Sequence, residues 1–90
     1  MLDKKKLEAI YKHYGFVNQV LKVKEETEEL RFACTSDKIE DFLEELADVY
    51  VLISQFLAQS EFKDKIIKIA NYKIDRELRR IINETEKEIV

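Results

Sequence analysis

The chain has 90 residues, 46% of them hydrophobic and 39% charged, and a formal net charge of −3. That hydrophobic content excludes a disordered chain, and the absence of proline with a single glycine excludes a turn-rich β sandwich or barrel. The lone cysteine, Cys34, excludes an intrachain disulfide and a cysteine-based zinc site, so the expectation is one all-α domain over residues 1–90.

Leu7, Ile10, Tyr11 and Tyr14 follow i, i+3, i+4, i+7 spacing. This predicts an amphipathic helix from about Asp3 to His13, with Gly15 as its stop or hinge. A second helix is expected from Phe16 to Cys34. Its stripe Phe16, Val20, Val23, Thr27, Leu30, Cys34 steps alternately by four and three, the seam of a helix lying nearly parallel or antiparallel to a neighbour. Thr35, Ser36 and Asp37 interrupt the pattern, and Asp37 with Glu40 reads as a capping box for a third helix, Lys38 to Gln59. Ser60 is the expected cap of a fourth, Glu61 to Glu88, with Ile67, Ala70, Ile74, Leu78 and Ile81 as its buried stripe.

Joints this short favour antiparallel neighbours, so an antiparallel four-helix bundle is expected. Residues 46–53 read LADVYVLI, seven of the eight hydrophobic. A helix apolar all round must be covered all round, which three other helices of so short a chain barely achieve. The expectation is a homo-oligomer, dimer or tetramer, with the third helix at or near the interface. The longest unbroken hydrophobic run, Val49 to Ile53, is far below the ~20 residues of a membrane span. The start MLDKKKLEAI lacks the apolar core of a signal peptide. Both point to a cytoplasmic protein with no membrane partner.

Charge is unevenly spread. Glu25 to Asp48 holds ten acids and two bases, and Lys63 to Arg80 seven bases and three acids. An acidic middle beside a basic helix would present metal ions and a polyanion to each other; two solvated helix faces would look the same. Nucleic-acid binding through the basic helix is the weakest reading, because the chain is net acidic and has no reading motif.

Acid pairs three residues apart occur six times, at Glu25/Glu28, Glu26/Glu29, Asp37/Glu40, Asp41/Glu44, Glu45/Asp48 and Glu61/Asp64. Spacing alone therefore selects nothing, and surroundings must decide. Asp37/Glu40 is accounted for as a cap, and Asp41/Glu44 and Glu61/Asp64 lie near helix starts, where the dipole favours acids. Asp48 instead sits inside the apolar octet, with Val51 and Leu52 on its side, and Glu45 is bracketed by Phe42 and Val49. Glu26 lies between Val23 and Leu30, and Glu29 one turn on. A buried carboxylate costs several kcal/mol unless it is paired or coordinates a metal. Two antiparallel helices would bring Glu26/Glu29 against Glu45/Asp48. Four carboxylates at one place need cations, and hard oxygen donors suit Mg²⁺ or Mn²⁺. Neutralisation by Lys22, Lys73 or Arg76 is the competing expectation. Zinc is not expected, since His13, the one histidine, lies outside the cluster.

Residues 25–30, EETEEL, fit E-E-x-x-E-L, and residues 45–48, ELAD, fit E-x-x-D, with fifteen residues between Glu29 and Glu45. The pair resembles the signature of the all-α NTP pyrophosphohydrolases, most closely their MazG-like branch. The upstream YGFVNQVLKVK is similar too, with Gly15 and Gln19 in the order seen there. The resemblance covers Tyr14 to Val51 well and Ile66 to Arg80 loosely. It implies Mg²⁺-dependent cleavage of a nucleoside triphosphate, a dNTP above all, between the α and β phosphates. It implies that Glu26, Glu29, Glu45 and Asp48 hold Mg²⁺, with Mn²⁺ as a substitute, and that Glu25 or Glu45 does catalytic proton work. Gln19 would contact a base or sugar and Lys22 a phosphate. Lys73 and Arg76, with Asn71, would serve the pyrophosphate end from NYKIDR. Tyr14 or Phe16 would stack on the base, with core packing the better expectation for Phe16. The chain lacks a second catalytic repeat, so the pocket would be completed by a partner subunit or left open. Two alternatives remain: a phosphoribosyl-ATP pyrophosphohydrolase, and a non-enzymatic oligomerisation or partner-binding module whose acids are salt-bridge partners.

Overall fold

Asp3 sets the first helix. Its Oδ1 accepts from the backbone N–H of Lys5 at 2.9 Å and of Lys6 at 3.2 Å, satisfying two of the donors that a helix start leaves open. The computed structural model describes residues 2–89, with side chains through Lys87. It contains α1 (Lys4–Tyr14), α2 (Phe16–Ala33), α3 (Ile39–Leu57) and α4 (Ser60–Ile89), with no strand among the described residues. The chain is all-α, as its composition and periodicity predict.

Gly15 is the whole joint between α1 and α2. Its N–H donates to the Tyr11 carbonyl at 2.8 Å, and its own carbonyl accepts from Gln19 N–H at 3.1 Å. It ends one helix and opens the next at φ 84°, ψ 163°. A Cβ would meet nothing within 4 Å, so the requirement for glycine is one of backbone conformation and not of space.

At the α2–α3 joint the structure corrects the expected cap. Lys38 precedes α3, and Ser36, not Asp37, tends its start: Ser36 Oγ accepts from Lys38 N–H at 3.1 Å and donates to Asp41 Oδ2 at 2.6 Å. A hydroxyl can do both at once, which a carboxylate cannot. Ser60 is likewise the first residue of α4 rather than the residue before it.

The chain divides after Gln59 into two units. In the first, α1, α2 and α3 pack against one another. Phe56 near the end of α3 anchors the others, edge-on to Tyr11 of α1 at 5.8 Å and to Phe16 of α2 at 6.3 Å between ring centroids. Helices α2 and α3 run antiparallel: Gln19, early in α2, bonds Gln55, late in α3, while Glu26 and Glu29 come to Glu45 and Asp48. The second unit is α4.

The face that α2 turns inward is not the one its apolar stripe predicts. Phe16, Val20, Val23, Thr27 and Cys34 are exposed and Leu30 half-buried, whereas Gln19 and Glu26 are buried and Ala33 half-buried. Gln19, Glu26 and Ala33 recur every seven residues, so they form one face. This face meets α3, where Gln19 bonds Gln55 and Glu26 comes to Glu45 and Asp48. On α4, a unit by itself, Ile67, Ala70, Ile74, Leu78 and Ile81 are all exposed in the single chain. Only Leu7 and Leu52 are buried apolar side chains among the described residues. Within the octet Leu52 is buried and Val49 half-buried, but Leu46, Tyr50, Val51 and Ile53 are exposed. No described helix is long and apolar enough to cross a membrane.

Candidate metal and substrate site

Glu26 and Glu29 are three residues apart on α2, and Glu45 and Asp48 three apart on α3, so each pair presents its carboxylates on one side of its helix. Antiparallel packing sets the pairs against each other, and one carboxylate oxygen from each residue lies within 4.8 Å of all the others. Glu26 is buried, Glu45 half-buried, and Glu29 and Asp48 exposed. Glu26 Oε2 and Glu45 Oε2 are buried without a hydrogen-bond partner. An unmatched buried acceptor costs about 1–3 kcal/mol, more when charged. Among the described residues, only Lys22 forms an ion pair with a member of the quartet, its Nζ 3.4 Å from Glu26 Oε1 and 3.3 Å from Glu25 Oε1. Within the first unit, neutralisation by bases therefore reaches one acid of four. Four hard oxygen donors with two orphaned atoms fit a divalent cation of the Mg²⁺ or Mn²⁺ type.

Electrostatics follow the geometry. Burial pushes the Glu26 carboxyl above its ordinary value of 4.5; Glu29 and, less, Asp48 push the same way, against the hydrogen bond and charge of Lys22. Lys22 is held above 10.5, first by its hydrogen bond to Glu25. A carboxyl whose folded pKa is raised binds its proton more tightly folded than unfolded, so the protein loses stability as pH rises from 4.5 through that raised value. Without divalent cations, Glu26→Gln is expected to be more stable than the parent at neutral pH and equal to it once pH falls to about 4.5. Urea midpoints across that range check this. Parallel curves would show that Glu26 ionises without cost.

Gln19, Lys22, Glu26, Asp48 and Gln55 line a cavity of about 510 Å³, with Tyr14 at its wall. Phe16 is not part of that lining and packs on Phe56 instead. On the other side of the quartet, Glu29 and Glu45 face a cavity of about 390 Å³ shared with Asp41 and Glu44. Glu25 stands outside the quartet, paired with Lys22. Lys73 and Arg76 lie three apart on one side of α4, and Asn71 lies about 200° around the helix from Lys73. Gln55 is absent from the sequence expectation. Its signal was there: it is an amide in the uncharged, largely apolar second half of α3, seven residues and two turns beyond Asp48 on the same side.

No protein-family model, curated protein or solved structure matches the chain.

Proposed function

We propose that this protein is a Mg²⁺-dependent nucleoside triphosphate pyrophosphohydrolase of the MazG-like, all-α kind, releasing nucleoside monophosphate and pyrophosphate. The observation that carries the reading is the quartet: four carboxylates from two antiparallel helices, with oxygens within 4.8 Å and two of them buried and unmatched. The same four residues complete the E-E-x-x-E-L and E-x-x-D pattern. A salt-bridge module would have given those atoms basic partners.

In this reading Glu26, Glu29, Glu45 and Asp48 hold the metal. When bound, Mg²⁺ or Mn²⁺ supplies charge neutralisation of the triphosphate and a water acidified toward neutral pH. Lys22, on the wall of the 510 Å³ cavity, turns from Glu25 and Glu26 to a phosphate oxygen. That exchange releases Glu25, which with Glu45 is the residue proposed to take a proton from water. Lys73 and Arg76 are proposed to receive charge on the leaving pyrophosphate. The protomer is proposed to work as a homo-oligomer within a helical bundle, because α3 leaves Ile39, Leu43, Leu46, Tyr50 and Ile53 exposed in one row.

The test is product analysis over a panel of NTPs and dNTPs with Mg²⁺. Pyrophosphate and monophosphate in equal amounts are expected, with turnover lost on chelation and restored by Mg²⁺ or Mn²⁺. Inorganic phosphate as the product, or no turnover of any nucleotide, overturns the proposal.

A further inference from the structure

Gln19 and Gln55 are 5% and 4% exposed. At the edge of the 510 Å³ cavity, Gln19 Nε2 donates to Gln55 Oε1 at 2.6 Å. Each lies seven residues from a quartet member of its own helix, Gln19 from Glu26 and Gln55 from Asp48, or about 10.5 Å along the axis. One cavity thus has carboxylates at one end and an amide pair at the other, separated by the span of a nucleotide from its α-phosphate to the far edge of its base.

The bond between two amides uses one N–H and one oxygen. It leaves Gln19 Oε1 as an acceptor beside Gln55 Nε2 as a donor. If both amides turn over, the bond reverses direction, and Gln19 Nε2 becomes the donor beside Gln55 Oε1 as acceptor. The pair keeps its internal bond either way, so it offers neighbouring donor and acceptor in either order. Cytosine carries an amino donor beside the N3 acceptor, and uracil and thymine a carbonyl acceptor beside the N3–H donor.

We infer that Gln19 and Gln55 together read the Watson–Crick edge of a nucleobase and accept amino and keto bases alike. This rests on the nucleotide reading of the quartet and adds which part of the substrate the amide end takes. With no base bound, the amides remain bonded to each other, so a bare polyphosphate leaves no buried polar group unmatched there.

The experiment titrates the parent, Gln55→Met and Gln19→Met with Mg²⁺-tripolyphosphate and with non-hydrolysable dCTP and dUTP. Deoxycytidine and deoxyuridine alone are titrated while the Gln19 and Gln55 side-chain amide resonances are followed. The two analogues are expected to bind the parent within about tenfold of each other, and each about tenfold or more tighter than tripolyphosphate. Either variant should bring the analogues down to the tripolyphosphate level and leave tripolyphosphate itself unchanged, which also reports an intact fold. Both nucleosides should shift both amide signals. A larger preference for one base, analogues no tighter than tripolyphosphate, or variants without effect overturn the inference. If Mg²⁺-tripolyphosphate binds but nucleosides leave the amides unmoved, the inference falls and the quartet reading stands. If nucleosides shift the amides but no triphosphate is bound or cleaved, the inference stands and the hydrolase reading falls.

Discussion

Asp48→Asn is expected to lower NTP hydrolysis by about a thousandfold or more, which is roughly 4 kcal/mol of transition-state stabilisation, and to raise the melting temperature of the cation-free protein. Both signs follow from one arrangement. Asp48 contributes one of four carboxylate oxygens that crowd within 4.8 Å, and it adds to the pressure against ionisation of Glu26. Asparagine keeps the shape and an oxygen but removes the negative charge, so repulsion in the cation-free quartet falls. The same change takes from the site a charge that a divalent cation needs. For a domain of this size about 1 kcal/mol corresponds to roughly 4–8 °C, so a shift of a few degrees is the expected scale. Mg²⁺ at a hundred times its Kd would stabilise the parent by about 2.7 kcal/mol; the variant should show little of that gain. A substitution that merely damaged the fold would lower both activity and stability, so opposite signs separate the metal-site account from a structural one. Full activity in Asp48→Asn would remove Asp48 from the site.

The helices were legible because their signals are local. Four runs of apolar periodicity, a glycine with no Cβ and two short polar joints define α1 to α4 to within a residue or two of the observed ends. The acid quartet was legible for a different reason: a buried carboxylate is costly unless something collects it, which holds for Glu26, whereas Asp48 joins the same cluster while exposed, against the burial its apolar octet predicts. What could not be read was which apolar face goes inward. Periodicity tells that Phe16, Val20 and Val23 share a side, not that the side carrying Gln19 and Glu26 is the one that meets α3. Sequence logic ranks buried glutamine below buried valine. Here paired amides satisfy each other, so their burial is affordable and the apolar side is left out. Gln55 was missed by the same logic. The Ser36 arrangement was missed because a serine three residues before the helix competes with an aspartate two residues before it, and only the backbone path decides between them.

Leu46→Glu is expected to convert an oligomeric parent into a monomer by sedimentation, with helix content retained by circular dichroism. On α3 the exposed side chains Ile39, Leu43, Leu46, Tyr50 and Ile53 step by four and three along one row, the seam of a helix made to pack against another. Contiguous apolar surface of this kind marks an interaction site, and fully burying each such side chain is worth about 1.5–3 kcal/mol. The row is symmetric about Leu46 to within one residue. A two-fold axis through that residue would run two α3 helices antiparallel, Ile39 against Ile53 and Leu43 against Tyr50, with Leu46 meeting its own copy. Charge favours that direction. Glu40, Asp41 and Glu44 crowd the first half of α3, and Val49 to Leu57 carries no charge, so antiparallel pairing sets acids beside neutral surface and parallel pairing sets acids beside acids. Glutamate at the axis would place two carboxylates against each other in the centre of the row, the position of greatest cost. Leu46→Lys should dissociate the oligomer as well, since the axis doubles either charge. If both variants keep the parental mass, the row on α3 is not where two copies meet.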